Sequence, residues 1–260
     1  MSRNAILAVS FGTSYAETRE KTIGAVEQTL RKTFPGWDVY RAFTSPTILR
    51  KMAADGVPAD NLWQALEHLM EQGASRILCQ PTYVINGEEH KAMMREVMRS
   101  ARQFDQIVFG TPLLTAQEDY EAVAKAIEEE FSSLTEEDAL VLMGHGTTHY
   151  ANTAYAALEY VFQDHGVPNI FVGTVEAYPG LPQVLRRMER FKPKRVVLAP
   201  LMVAAGDHAQ NDMAGEADSW KTAFKAEGYK VQTVLKGLGE YPAIRALYAA
   251  HAQCAAARLE

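Results

Sequence analysis

The chain has 260 residues, 47% of them hydrophobic, a formal net charge of −6 and two cysteines. That is enough apolar material for one large domain or two smaller ones without covalent staples. The acidic balance argues against sequence-independent nucleic-acid binding, and no apolar run approaches the ~18 residues needed to cross a bilayer. Cys79 and Cys254 lie far apart in sequence, which argues against a disulfide scaffold and fits a reducing, cytoplasmic setting.

Short apolar runs alternate with longer amphipathic ones, the pattern of a parallel sheet with helical crossovers. The opening run NAILAVS (4–10) is too short for the apolar part of a signal peptide and reads as a first strand. A helix is expected over 15–33, then a strand at 37–43, a helix at 60–72, a strand at 75–82, a helix at 88–102 and a strand at 106–110. After a helix at 117–131 a second series begins. It has strands at 138–144, 169–175, 194–201 and 229–235, with helices at 150–164, 180–191 and 210–227. An Ala-rich helix at 241–258 closes the chain.

The two series look like copies. VSFGTS (9–14) aligns with MGHGTT (143–148), RAFTSP (41–46) with TVEAYP (174–179), and QPTYVINGEE (80–89) with APLMVAAGDH (199–208). Each fourth strand is followed by an acidic-Tyr pair, Asp119-Tyr120 and Glu240-Tyr241. Several matches in one order point to duplication rather than to generic α/β likeness. The expected fold class is α/β, with two similar parallel-sheet domains of flavodoxin-like type facing a central cleft. The expected boundaries are 1–130 for the first domain and 131–239 for the second, with 240–260 as a helix packing back on the first.

Ligands of open α/β sheets bind outside the carboxyl ends of the strands, which is where the copies differ. In the alignment Phe11 corresponds to His145, Phe43 to Glu176 and Glu89 to His208. The second copy thus offers His, Glu and His, each just past a strand and one βα unit apart. Two imidazoles and a carboxylate suit a borderline divalent metal, and they also suit proton transfer near neutral pH. Bland alternatives exist for each residue: His145 as part of a tight turn between two glycines, Glu176 as a helix N-terminal carboxylate, and His208 within a capping loop built on Asp207 or Asn211. The flanking glycines favour function at His145, because glycine permits close approach of a ligand. His149 is expected to point outward from a starting helix. His68, His165 and His251 read as ordinary surface or helix histidines, and His90 is a weak further candidate.

Other signals are negative. SFGTS lacks a P-loop lysine and the GxGxxG spacing, and there is no GxSxG elbow or suitably placed nucleophilic cysteine. Cys79 reads as core. Met202 and Met213 read as packing near His208, and the basic stretch LRRMERFKPKR (185–195) reads as a solvated face.

Taken together, SFGTS, RAFTS, INGEE, MGHGT, VEAYP, PLMVAAGDHAQNDMAG and GLGEYPAIR resemble the anaerobic sirohydrochlorin cobaltochelatases of the CbiK type, class II chelatases related in fold to ferrochelatase. The resemblance runs from AILAVSFGTS to the last helix, and GDHAQNDMAG…DSW is its most specific part. It implies ATP-independent insertion of Co2+ into sirohydrochlorin during cobalamin synthesis. The metal is then a substrate, for which Fe2+, Ni2+ or Zn2+ can substitute, and no organic cofactor is needed.

By motif the family's metal-handling residues fall on His145, Glu176 and His208. The first copy would supply substrate contacts at Ser10, Phe11, Thr13, Ser14, Tyr83, Val84 and Gly87, with Ile85 in the same wall. Arg50, Lys51 and Arg95 are candidates to meet the substrate's carboxylates. One departure is Tyr83, where some members carry a histidine. The implied partners are the tetrapyrrole and a divalent metal, with no nucleic acid and no membrane, and a homo-oligomer is left open. The alternatives are a sirohydrochlorin ferrochelatase or nickel chelatase, or a non-catalytic metal or tetrapyrrole carrier.

Overall fold

The computed structural model describes residues 3–259. The chain forms two units, one made of the residues up to Thr115 together with those from Pro242 onward, the other running from Ala116 to Tyr241. Each is built on a four-stranded, all-parallel sheet. The strands of the first unit are β1 (Arg3–Ser10), β2 (Asp38–Phe43), β3 (Ala74–Pro81) and β4 (Gln106–Phe109). Those of the second are β5 (Asp138–Gly144), β6 (Ile170–Thr174), β7 (Arg195–Pro200) and β8 (Lys230–Thr233). The spatial orders are β2-β1-β3-β4 and β6-β5-β7-β8, the same path drawn twice.

Parallel strands covered by helices on both faces must be apolar throughout rather than alternating. The sequence obeys this: β5, DALVLMG, is buried at every residue, and Ala5 to Ser10 of β1 are all buried. The first core gathers Leu7, Leu66, Leu69, Ile77 and Met93. The second gathers Val141, Phe171, Val184, Met188, Trp220 and Phe224. At roughly 1.5–3 kcal/mol for each large apolar side chain fully removed from water, these clusters are the main source of stability.

The helices are α1 (Ala16–Arg19) and α2 (Ala25–Thr33), joined by a π turn (Glu20–Gly24), then α3 (Pro46–Ala54), α4 (Leu62–Glu71), α5 (Glu88–Arg99), α6 (Gln117–Glu130), α7 (Thr153–Asp164), α8 (Leu181–Phe191), α9 (Trp220–Ala226) and α10 (Pro242–Ala256). All eight expected strands are present. Two helical expectations need correction. The stretch TSPTILRKMAA forms α3, which the apolar periodicity did not suggest. Its start signal is explicit, with Ser45 accepting from the Ile48 N–H and Pro46 in the first turn. The helix expected over 210–227 is broken. A π turn (Ala209–Met213) ends at Gly215, where a Cβ would stand 2.4 Å from the Asn211 carbonyl. The chain restarts at α9 with Ser219 as a capping-box residue.

The division between units falls after Thr115, earlier than the expected 130, so α6 lies in the second unit, where it meets α7. α10 covers the first unit, touching α2, β3 and β4. Its Tyr248 hydroxyl donates to the Thr82 and Tyr83 carbonyls at 2.9 and 3.2 Å. In each repeat, therefore, the helix after the fourth strand packs on the other repeat.

An ion pair between buried Asp138 and partly exposed Arg195 ties the amino end of the second sheet. Asp138 accepts from Arg195 Nε and Nη2 at 2.8 and 2.9 Å, and from the Thr135 backbone N–H and hydroxyl at 2.9 Å each. The Arg195 hydrogen bonds, with those from Thr135, hold the Asp138 carboxyl well below the usual carboxylate range. A depressed folded-state pKa contributes stability that is present above the unfolded value, about 3.9, and is lost as the pH falls through the folded one. Asp138→Asn is expected to cost about 1–3 kcal/mol at pH 7, the lower part of that range being favoured by the partial exposure of Arg195. The deficit should shrink below about pH 3.9. Urea melts of both proteins at pH 7 and pH 3 check this, and a deficit independent of pH would refute the electrostatic account.

Candidate metal centre

The loops after β5, β6 and β7 bring His145, Glu176 and His208 together, with one donor atom from each residue lying within 4.8 Å of the others. His145 Nε2 stands 3.9 Å from Glu176 Oε2, and His208 Nε2 stands 3.9 Å from Glu176 Oε1. The carboxylate thus faces one imidazole with each oxygen. The two rings meet edge to face, with centroids 4.9 Å apart and planes at 76°. Both histidines are about 30% exposed and Glu176 54%, so the group is open to an incoming ion.

Hydrogen bonds at the far nitrogens set the tautomers. His145 Nδ1 lies 2.9 Å from the Gly146 carbonyl, and His208 Nδ1 lies 2.7 Å from Asp212 Oδ2. A carbonyl or a carboxylate can only accept, so each Nδ1 carries the proton and donates. The lone pair then sits on Nε2, the atom turned toward Glu176 in both residues.

The backbone explains why a histidine stands between two glycines. Gly144 ends β5 against Tyr155, where a Cβ would come within 2.4 Å of the ring. Gly146 has φ +90°, and a Cβ there would meet Thr174 Cβ at 2.8 Å, Ala177 Cβ at 2.9 Å and the Ala177 nitrogen at 3.0 Å. Both glycines are demanded by contacts inside the unit. Their closeness lets the Glu176 N–H donate to the His145 carbonyl at 2.9 Å, locking two of the three clustered residues to one another.

The same hydrogen bond exists in the first unit, from the Ser45 N–H to the Phe11 carbonyl at 3.2 Å. Glu176 therefore corresponds to Ser45, not to Phe43. The sheet registers agree, because Ser10 pairs with Phe43 as Gly144 pairs with Thr174. The connection after β6 is longer than that after β2, with five steps from Thr174 to Pro179 against three from Phe43 to Pro46, and a gapless comparison cannot see that.

The first-unit residues fall into two groups. Phe11 is exposed, and Ser14 and Val84 are half-buried. Ser10, Thr13, Tyr83, Ile85 and Gly87 are buried. Ser10 and Thr82 share a hydroxyl hydrogen bond of 2.7 Å, and Tyr83 Oη lies 3.0 Å from Thr44 Oγ1. These hydroxyls serve the interior of the unit, as the alternating direction of side chains at a strand end dictates. Arg50, Lys51 and Arg95 are exposed.

The other histidines separate clearly. His149 is buried rather than outward, and its Nδ1 accepts from the Ala151 N–H at 3.2 Å. His90 is buried at the edge of Tyr83, its Nε2 lacking a partner among the described residues, and burial pushes its pKa down. His165 is gripped by Glu128 and Glu121 at 2.8 and 2.7 Å, which raise its pKa. His68 bonds Asp60 at 2.8 Å, and half-buried His251 faces the Thr111 carbonyl at 3.3 Å. Cys79 is buried, and burial pushes its thiol up. Sequence reasoning missed Asp212, four residues after His208; the signal was the i,i+4 spacing in DHAQND, which puts both side chains on one helical face.

Two parallel α/β sheets of equal topology, with a His-Glu-His cluster at the carboxyl ends of the second, are the architecture of the chelatase fold. The sirohydrochlorin chelatase SirB of Bacillus subtilis subspecies spizizenii, solved in complex with cobalt, superposes with a TM-score of 0.68 at 14% identity, covering 99% of this chain and 97% of that one. The family model for cobalt chelatase (CbiK) matches residues 4–257, and the chain belongs to that family. It is 41% identical over 251 residues to the sirohydrochlorin cobaltochelatase of Salmonella typhimurium, covering 96% of this chain and 95% of the relative. It is 31% identical over 264 residues to the sirohydrochlorin cobaltochelatase CbiKC of Nitratidesulfovibrio vulgaris, covering 100% and 93%. No described helix is long and apolar enough to cross a membrane.

Proposed function

We propose that this chain inserts Co2+ into sirohydrochlorin without ATP, as a step of anaerobic cobalamin synthesis, and that His145, Glu176 and His208 receive the metal. The observation that carries the reading is the convergence of three donor atoms within 4.8 Å, with both imidazole lone pairs turned to one carboxylate.

Insertion exchanges two pyrrole protons for one dication. The macrocycle gives up both protons, and its four nitrogens replace the ligands and waters of the ion. Glu176 offsets the charge of the arriving ion, while neutral Nε2 atoms hold it or accept a proton, one task at a time. Phe11, Ser14 and Val84, whose side chains are at least partly accessible, are the proposed tetrapyrrole contacts. Fe2+, Ni2+ and Zn2+ are proposed as substitute ions, because imidazole and carboxylate separate these metals weakly.

The test follows the absorbance of sirohydrochlorin mixed anaerobically with Co2+, with and without the protein. The expected result is a metal-dependent spectral change well above the protein-free rate. Binding of either substrate with no acceleration would replace this reading with that of a carrier.

A further inference from the structure

We infer that Asp212 is a positioning residue of the metal centre, fixing His208 as the more strongly donating of its two imidazoles. The inference rests on the reading of the trio as the metal-receiving site. Asp212 Oδ2 lies 2.7 Å from His208 Nδ1, and the bond spans one turn of the short helical segment that carries both residues. Asp212 makes no other side-chain hydrogen bond or ion pair among the described residues. Its carboxylate caps no helix and joins no core network, so its one observed task is to hold that imidazole.

The two histidines differ in this respect. His145 donates from Nδ1 to a neutral carbonyl, that of Gly146 at 2.9 Å. His208 donates to a full negative charge. A carboxylate partner orients the ring, excludes the tautomer with its proton on Nε2, and makes the opposite nitrogen a better donor to a cation. Asp212 also adds a negative charge behind the ligand set, which strengthens attraction for a dication without occupying a coordination position. The segment between them is a π turn, with the Ala214 N–H bonded to the Ala209 carbonyl. Such turns are rare and recur at functional sites.

The experiment titrates Co2+ into the full-length protein and follows the visible absorption of bound cobalt. It then measures insertion with each substrate varied in turn. Asp212→Ala should bind Co2+ about 10–100-fold more weakly. Its KM for Co2+ should rise by a similar factor while its KM for sirohydrochlorin stays put, a split that a general loss of structure would not produce. Asp212→Asn keeps the shape but can offer an N–H to Nδ1, which permits the wrong tautomer, so it should also lose affinity; it decides the matter if the alanine variant folds poorly. Asp212→Glu should recover part of the affinity, and Asn211→Ala, on the same turn, should match the wild type. Alanine and asparagine variants within twofold of wild type in Co2+ affinity and KM would overturn the inference. Failure of the wild-type protein to bind or insert Co2+ would instead remove the metal-site reading beneath it.

Discussion

Alanine at His145 is expected to slow Co2+ insertion at least about 100-fold while shifting the melting temperature by no more than about 3 °C. The kinetic part follows from what is removed. His145 supplies one of three converging donor atoms, and on the proposed mechanism its Nε2 takes a pyrrole proton. Positioned proton acceptors contribute about 10²–10⁴-fold on their own. The thermal part follows from location. The ring is 31% exposed at a loop, outside the core of the second unit, where truncations cost little stability. His208→Ala should behave alike, and the double variant should be hardly worse than either single one, because residues acting as a unit lose their effect together. Single-turnover insertion assays with matched melting curves test this. A variant with more than a tenth of wild-type activity would remove His145 from the chemistry.

Gly146→Ala is expected to damage both stability and activity through the backbone. The residue sits at φ +90°, where an L side chain is strained, and the added carbon would press on Thr174 and Ala177 at 2.8 and 2.9 Å. Strain and overpacking together should cost about 2–4 kcal/mol. Relief requires the His145 loop to move away from the segment bearing Glu176, which lengthens or breaks the 2.9 Å hydrogen bond between their backbones. Displacements of about 1 Å in a catalytic group can cost about 100-fold in rate. Gly166→Ala is the control: it shares a positive φ of +78°, but nothing lies within 4 Å of the new carbon, so it should cost about 1 kcal/mol and leave the rate alone. Chemical melts and insertion rates of the two variants separate the contributions. Equal behaviour of both would show that the close approach to residues 174–177 is immaterial.

How much of this could be read beforehand depends on the range of the interaction. The strands were legible because burial on both faces forces runs such as ILAV and ALVLM, and the convergence of His145, Glu176 and His208 was legible because strand ends of one sheet must share a rim. α3 was missed because its apolar face is carried by little more than Ile48 and Met52, too sparse to register as a period. The partner of Glu176 in the first repeat was misassigned because only the backbone hydrogen bond from Ser45 to Phe11 reveals the register. The reason for Gly144 lies in Tyr155, and that for Gly146 in Thr174 and Ala177; no local pattern announces contacts of that kind. His149 looked like a surface residue because a one-turn 3₁₀ start (Tyr150–Asn152) replaces the regular helix that would have turned it outward.

The exchange of end helices has a consequence for how the molecule is made. The second unit is one continuous stretch, from Ala116 to Tyr241, whereas the first joins two separate stretches and needs α10, which follows the second unit in sequence. Domains usually mature in the order in which the ribosome delivers them. Here the second unit, which bears the three donor atoms, emerges whole before α10 can seal the first. A gene cut between the repeats would give two products, each holding the piece that the other needs to close.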